Sequence, residues 1–265
     1  MPDSHLLAKR LVPVLALTVA MHAGSAHAYP NAVIFTPSGE AKAFGEASVL
    51  TYVAYFGDSP LTWAGINVGL LPRFAYGDTG LDFGGLELGL DLIGMAGLSP
   101  AKKPVMNGKA QLLVENGPLP SVAVGLSGFA VADPTLSLNA TYLSATKTLA
   151  WSEHALGRIT LGGGVSLARS QAVFTATTPF AAPSQAFVLG GYESPAWGPA
   201  TFAVDHIGGI SELGATTLGL NLLVSPGTYL GLGYTLGNDR SAVPADAAYV
   251  YLSSGFSLAA AKGEH

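Results

Sequence analysis

The chain contains no cysteine, so no disulfide can staple the fold and no thiolate can act as nucleophile or metal ligand. Charge is scarce as well. Asp, Glu, Lys and Arg together make up 11% of the residues, against about 25% in a soluble globular domain. With a formal net charge of -5 there is no basic patch for nucleic acid, and a surface wetted on all sides would be thinly clothed. Of the 6 histidines, His5, His22 and His27 fall in the first 28 residues and His265 is terminal. That leaves His154 and His206, with no clustered histidines and no acidic metal loop, so no metal and no cofactor are expected. Beyond residue 28 an apolar run fit for a membrane helix is also missing. The longest uncharged stretch, Leu213 to Asn238, is broken by Pro226 and by repeated glycines.

What the chain does have is apolar substance: 49% hydrophobic residues and a mean hydropathy of +0.41. At its start Lys9 and Arg10 precede an apolar run from Leu11 to Met21, followed by small residues ending Ala26-His27-Ala28. This pattern predicts a cleavable signal peptide over 1–28, since the run falls short of the roughly 20 residues a spanning helix needs. Residues 29–44 then form a periplasmic N-terminal segment, 45–258 a domain of strands, and 259–265 a C-terminal tail.

The strands are read from period-two alternation. Between Thr216 and Asn238, Leu218, Leu220, Leu222 and Val224 share one face, as do Leu230, Leu232, Tyr234 and Leu236. Gly219, Asn221, Tyr229, Gly231, Gly233 and Thr235 share the other. Ser225-Pro226-Gly227 joins the two runs. Similar ribbons recur about 45–56, 63–70, 74–92, 109–115, 121–127, 136–150, 158–167, 185–194, 199–206 and 248–258, which makes twelve. Alternate connections are short (71–73, 116–120, 151–155, 195–198, 225–227), while most of the others are longer (96–106, 170–184, 207–215, 237–247). An exported chain too apolar for water, without helical spans, fits an all-β, antiparallel up-and-down transmembrane β-barrel of about twelve strands, which satisfies its backbone by closing on itself. The short connections fit a periplasmic rim, which puts both termini in the periplasm of a Gram-negative bacterium. A soluble β-sandwich is the competing architecture, but its outer faces would have to be glycine, serine, alanine and threonine with few charges.

If leucines face lipid, the opposite faces line a lumen. Its polar candidates are Asn67, Glu87, Asp91, Lys109, Gln111, Glu115, Asn139, Lys147, Arg158 and Asn221. Charged groups at membrane depth find partners or line a cavity, so these residues form an ion-pair network or bias a pore. Catalysis by a membrane-embedded lipid hydrolase is the alternative, with Asp205, His206 and Ser211 as the residue types it needs. Adjacent residues on a strand face opposite ways, which separates Asp205 from His206, so no catalytic set is expected. Trp63, Tyr76, Trp151, Trp197, Tyr229, Tyr249 and Phe256 are candidates for interfacial girdles.

Three segments, Ile66-Asn67-Val68-Gly69-Leu70-Leu71-Pro72-Arg73, Asn107-Gly108-Lys109-Ala110 and Pro120-Ser121-Val122-Ala123-Val124-Gly125, together resemble the YjbH-type outer-membrane barrels. The resemblance implies outer-membrane location and no established reaction. The stretch Tyr251 to Leu258 also resembles the terminal strand signal read by the barrel-assembly machinery. The expected function is a narrow passive pore or a structural or export-associated envelope component. Its expected partners are outer-membrane lipids, the assembly machinery and a small solute or polysaccharide.

Overall fold

The computed structural model describes residues 33–56, 59–95, 99–130, 140–166, 186–209, 214–238 and 246–258. The predicted signal peptide, the C-terminal tail, Asn139 and Ser211 lie outside them. Twelve strands form one closed antiparallel barrel: β1 (Glu46–Phe56), β2 (Ser59–Leu71), β5 (Gly85–Met95), β6 (Ser99–Leu113), β7 (Ser121–Ala130), β8 (Ala140–Trp151), β9 (His154–Ser166), β10 (Ala186–Glu193), β11 (Ala200–Ile207), β12 (Ala215–Ser225), β13 (Thr228–Gly237) and β14 (Asp246–Ser257). Each strand pairs with its neighbours in sequence, and β1 closes on β14 from Glu46↔Ser257 to Tyr55↔Ala248. Closure leaves no free edge whose N–H and C=O groups would need another chain. A sandwich is thereby excluded.

Alternation fixes the faces. Leu88, Leu90, Leu92, Leu126, Leu161, Leu218, Leu220 and Leu232 are exposed on the outside, whereas Glu87, Asp91, Lys109, Gln111, Asp205, Thr217 and Asn221 are buried inside. This is the reverse of a water-soluble domain, in which the apolar face forms the core. The interior is held by polar groups and by rings that lie over glycines. Across β13 and β14, Tyr251 pairs with Gly231 and Tyr249 with Gly233, and each ring occupies the space a Cβ of its partner would need. Tyr142 lies in the same way over Gly125. Small residues on the inner face therefore accept neighbouring side chains folded flat against the wall.

Two details depart from the sequence reading. The third ribbon is not one strand from residue 74. A separate two-stranded hairpin, β3 (Phe74–Ala75) with β4 (Asp82–Phe83), projects between β2 and β5. It is tied by an Arg73–Asp82 ion pair and by Phe74 stacked on Phe83 at 4.6 Å between centroids. The long connection expected over 96–106 is mostly strand as well, because β5 and β6 stay paired out to Met95↔Ser99. The shorter connections do share one end of the barrel, which also carries the start of β1 and the end of β14, as strict antiparallel succession requires.

A strap-filled lumen as the candidate functional site

The barrel is not empty. The segment expected ahead of the domain is 29–44, and its described part, 33–44, runs through the interior as a strap, bent over 33–36 where Val33 N–H bonds Thr36 O at 3.0 Å. Val33, Thr36, Ser38 and Lys42 are buried there. The strap is held mainly by wall side chains that bind its backbone. Asp205 Oδ2 accepts the N–H groups of Ile34, Phe35 and Thr36 at 3.1, 2.6 and 2.7 Å. Thr146 Oγ1 accepts Gly39 N–H at 2.8 Å, Gln111 Oε1 accepts Ala41 N–H at 3.1 Å, and Glu87 Oε2 accepts Lys42 N–H at 3.1 Å. In the other direction Ser144 donates to Ser38 O at 3.0 Å and Lys109 Nζ to Glu40 O at 2.9 Å. A buried N–H or C=O without a partner costs about 1–3 kcal/mol, so an irregular segment can sit in the lumen only because the wall supplies these partners.

Three side chains of the strap add specificity. Glu40 pairs with Arg158, whose other nitrogen lies 3.5 Å from Glu193. Phe35 packs edge-on against Tyr52 and Tyr249, at 5.4 and 5.8 Å between centroids. Val33 occupies the space above Gly191. At the short-connection rim the strap leaves the lumen and turns into β1, with Glu46 N–H on Ala43 O and Gly45 N–H on Gly69 O.

The structure brings together Asn67, Glu87, Asp91, Lys109, Gln111, Arg158 and Asn221 in the interior. Glu87 lies opposite Lys109 in the β5–β6 register. Asn107 Nδ2 donates to Asp91 while Asn107 Oδ1 accepts Gly128 N–H at 2.9 Å, and Tyr251 OH donates to Asn221 Oδ1. Glu115 and Lys147 lie elsewhere, paired with each other at 2.7 Å at the short-connection rim. On β8 the inward residues are Ala140, Tyr142, Ser144 and Thr146, so Lys147 falls in the outward phase. Lumen places for Asn139 and Lys147 imply an outward Tyr142, because a bulky ring looks lipid-facing until its glycine partner, here Gly125, is known. Burial of Glu115 would raise its pKa, but bonds from Lys147 and Thr148 outweigh that and hold the carboxyl below its ordinary value.

Asp205, Thr146 and Ser144 hold the strap, yet none of them is among the lumen candidates read from the sequence. The alternation that sets Tyr142 outside sets Ser144 and Thr146 outside with it, and the strap that binds Asp205, Thr146 and Ser144 lies more than a hundred residues away along the chain. Asp205 faces the lumen, while His206 shares a bond with Thr216, 2.9 Å from Nδ1 to Oγ1, on the opposite face. The two residues of the hydrolase alternative are thus on different sides of the wall. Among the described residues no three His, Asp or Glu side chains converge as metal ligands would. Of the girdle candidates, Trp63 and Tyr249 turn inward, whereas Tyr76, Trp151 and Trp197 are exposed at the short-connection rim. No protein-family model matches the chain, and no curated protein matches it, so the functional reading rests on the geometry of the lumen.

Proposed function

We propose that this chain is a non-enzymatic outer-membrane β-barrel whose polar lumen is a narrow passage held closed by its own strap, residues 33–44. The observation that carries the reading is the inverted polarity of the wall, with leucines exposed outside and Asp205, Glu87, Asp91 and Lys109 buried inside. An apolar exterior of this kind is stable against lipid and costly against water. Strands of 8 to 15 residues suit a tilted crossing, which takes about 9–11. Exposed Trp151 and Trp197 at one rim suit a lipid–water boundary, where an amphipathic ring is favoured. The short-connection rim then faces the periplasm.

The strap runs between opposite walls, bound to Asp205 on β11 at one end and to Glu87 on β5 at the other. In this position it blocks an open channel. Lifted out, it leaves Glu87, Asp91, Glu193 and Asp205 against Lys109 and Arg158 among the described wall residues, an acidic excess that favours cations. Planar-bilayer recording tests this. The wild type conducts rarely, and the oxidised double variant Ser38→Cys/Ser144→Cys, which ties the strap to β8, is silent until reduced. Asp205→Ala, which unlatches the strap, conducts readily with cation preference. A barrel shown to have lost its strap that still conducts no current would sink the passage and leave a structural envelope component. Folded protein that stays monodisperse in water without detergent would sink the membrane reading.

A further inference from the structure

The wall grips the strap by its backbone, and backbone is common to every polypeptide. We propose that the lumen is a binding site for a linear segment of another polypeptide, one that carries an aromatic residue, a glycine four places later and an acidic residue directly after the glycine. The inference rests on the reading of the strap as a removable closure and names the class of ligand that takes its place.

Between residues 34 and 42, wall side chains accept six backbone N–H groups and donate to two backbone carbonyls. A polypeptide presents donors and acceptors in this succession; a simple ion or a sugar does not. The wall is also cut away along the path. Val33 occupies the place of a Cβ on Gly191, and the carbonyls of Lys42 and Ala43 occupy that of a Cβ on Gly69. A segment tethered to β1 through Gly45 is present at an effective concentration on the order of millimolar, so loose contacts would keep it in place. The wall supplies far more recognition than a tethered plug needs.

Three positions of the strap are selected by what surrounds them. Phe35 stands edge-on to both Tyr52 and Tyr249, a place for an aromatic ring. Gly39 is buried, and a Cβ there would run into the carbonyl of Ser121 and the N–H of Thr146. Those two residues are a register pair of β7 and β8, so the obstacle is sheet backbone that cannot give way. Glu40 meets the guanidinium of Arg158. Pro37, by contrast, borders a cavity of about 220 Å³, which leaves room for a larger side chain at that position.

The test keeps the full chain and every wall side chain. The strap variant Phe35→Ala/Gly39→Val/Glu40→Ala removes the three selected features from the strap alone. With Ser38→Cys added, it should label with maleimide at least about tenfold faster than Ser38→Cys by itself, as overpacking against backbone requires. A fluorescein-labelled peptide copying residues 33–44 should then gain anisotropy saturably with the strap variant in detergent. It should not do so with wild type at the same concentrations, because the native strap fills the site. In the peptide, Gly39→Val, Glu40→Ala or N-methylation of the residue 36 amide should each weaken binding about tenfold or more, while Pro37→Tyr leaves it unaltered. Should the triple variant not close a heat-modifiable barrel, Phe35→Ala/Glu40→Ala carries the same titration. No saturable binding to a closed barrel whose strap labels rapidly overturns the proposal, as does equal affinity for the N-methylated or the Gly39→Val peptide. Slow labelling of the strap variant overturns the removable closure and the proposal with it. Labelling reports the strap and anisotropy the peptide, so rapid labelling without binding strikes the ligand class and leaves the closure standing.

Discussion

Replacing Asp205 by alanine removes the acceptor of three consecutive strap N–H groups. Each hydrogen bond to a charged acceptor contributes about 1.5–3 kcal/mol. Three bonds that share one oxygen do not add fully, and N–H groups released to the lumen regain water, so the docked strap loses about 3–5 kcal/mol net. That corresponds to between about 10² and 10⁴ in the ratio of undocked to docked strap. Ser38 reports it directly. It is 1% exposed, and because the chain has no cysteine, Ser38→Cys introduces the only thiol. Maleimide labelling of this thiol proceeds through the undocked state, so its rate follows the open population. The single variant should label very slowly and the Ser38→Cys/Asp205→Ala variant faster by up to that ratio. Asp205→Asn, which keeps one acceptor oxygen and loses the charge, should fall between them. Heat-modifiable migration in a gel establishes that each barrel is closed. Rapid labelling of Ser38→Cys alone, or equal rates with and without Asp205 in closed barrels, refutes the latch.

The remaining tests address the wall and the rim. Gly231→Val puts methyl groups where the Tyr251 ring lies, an overpacking that costs about 1–3 kcal/mol; denaturant unfolding in micelles should show the loss, and Tyr251→Ala in the same chain should recover part of it. An unchanged midpoint for Gly231→Val would mean the ring does not rest on that glycine. At the rim, the folded-state pKa of Glu115 is depressed below the ordinary carboxyl value of 4.5, so its stabilising contribution is fully present above that value and is lost as pH falls through the folded pKa. The half-exposed pair contributes about a few tenths of a kcal/mol, so Glu115→Gln should be slightly less stable than wild type at neutral pH and equal to it in strong acid. A gap that widens on acidification contradicts the pairing. Arg158→Ala leaves Glu40 without its guanidinium partner and should accelerate labelling at Ser38→Cys less than Asp205→Ala does, because one ion pair is lost in place of three backbone bonds.

Much of the wall was legible in the chain itself. Period-two alternation separated Leu218, Leu220 and Leu232 from Thr217, Asn221 and Gly231 without any coordinates, because the pleat of a strand has no other way to arrange them. Scarcity of charge, absence of cysteine and the succession of short connections then left a closed barrel as the architecture that satisfies every backbone group. Where a strand was aromatic, as at Tyr142, or interrupted, as at residues 74–83, the pattern misled. A ring belongs to whichever face offers it a glycine, and that glycine is on another strand.

Only the tertiary structure decided what fills the lumen. Nothing local in Val33 to Phe44 distinguishes a strap inside the barrel from a lead-in outside it, because the wall groups that hydrogen-bond residues 34–42 stand 45 to 171 residues away along the chain. Asp205 shows the division most plainly. Its inward direction follows from the alternation of β11, but its task depends on a backbone 169 to 171 residues away along the chain, which only the closed barrel sets beside it.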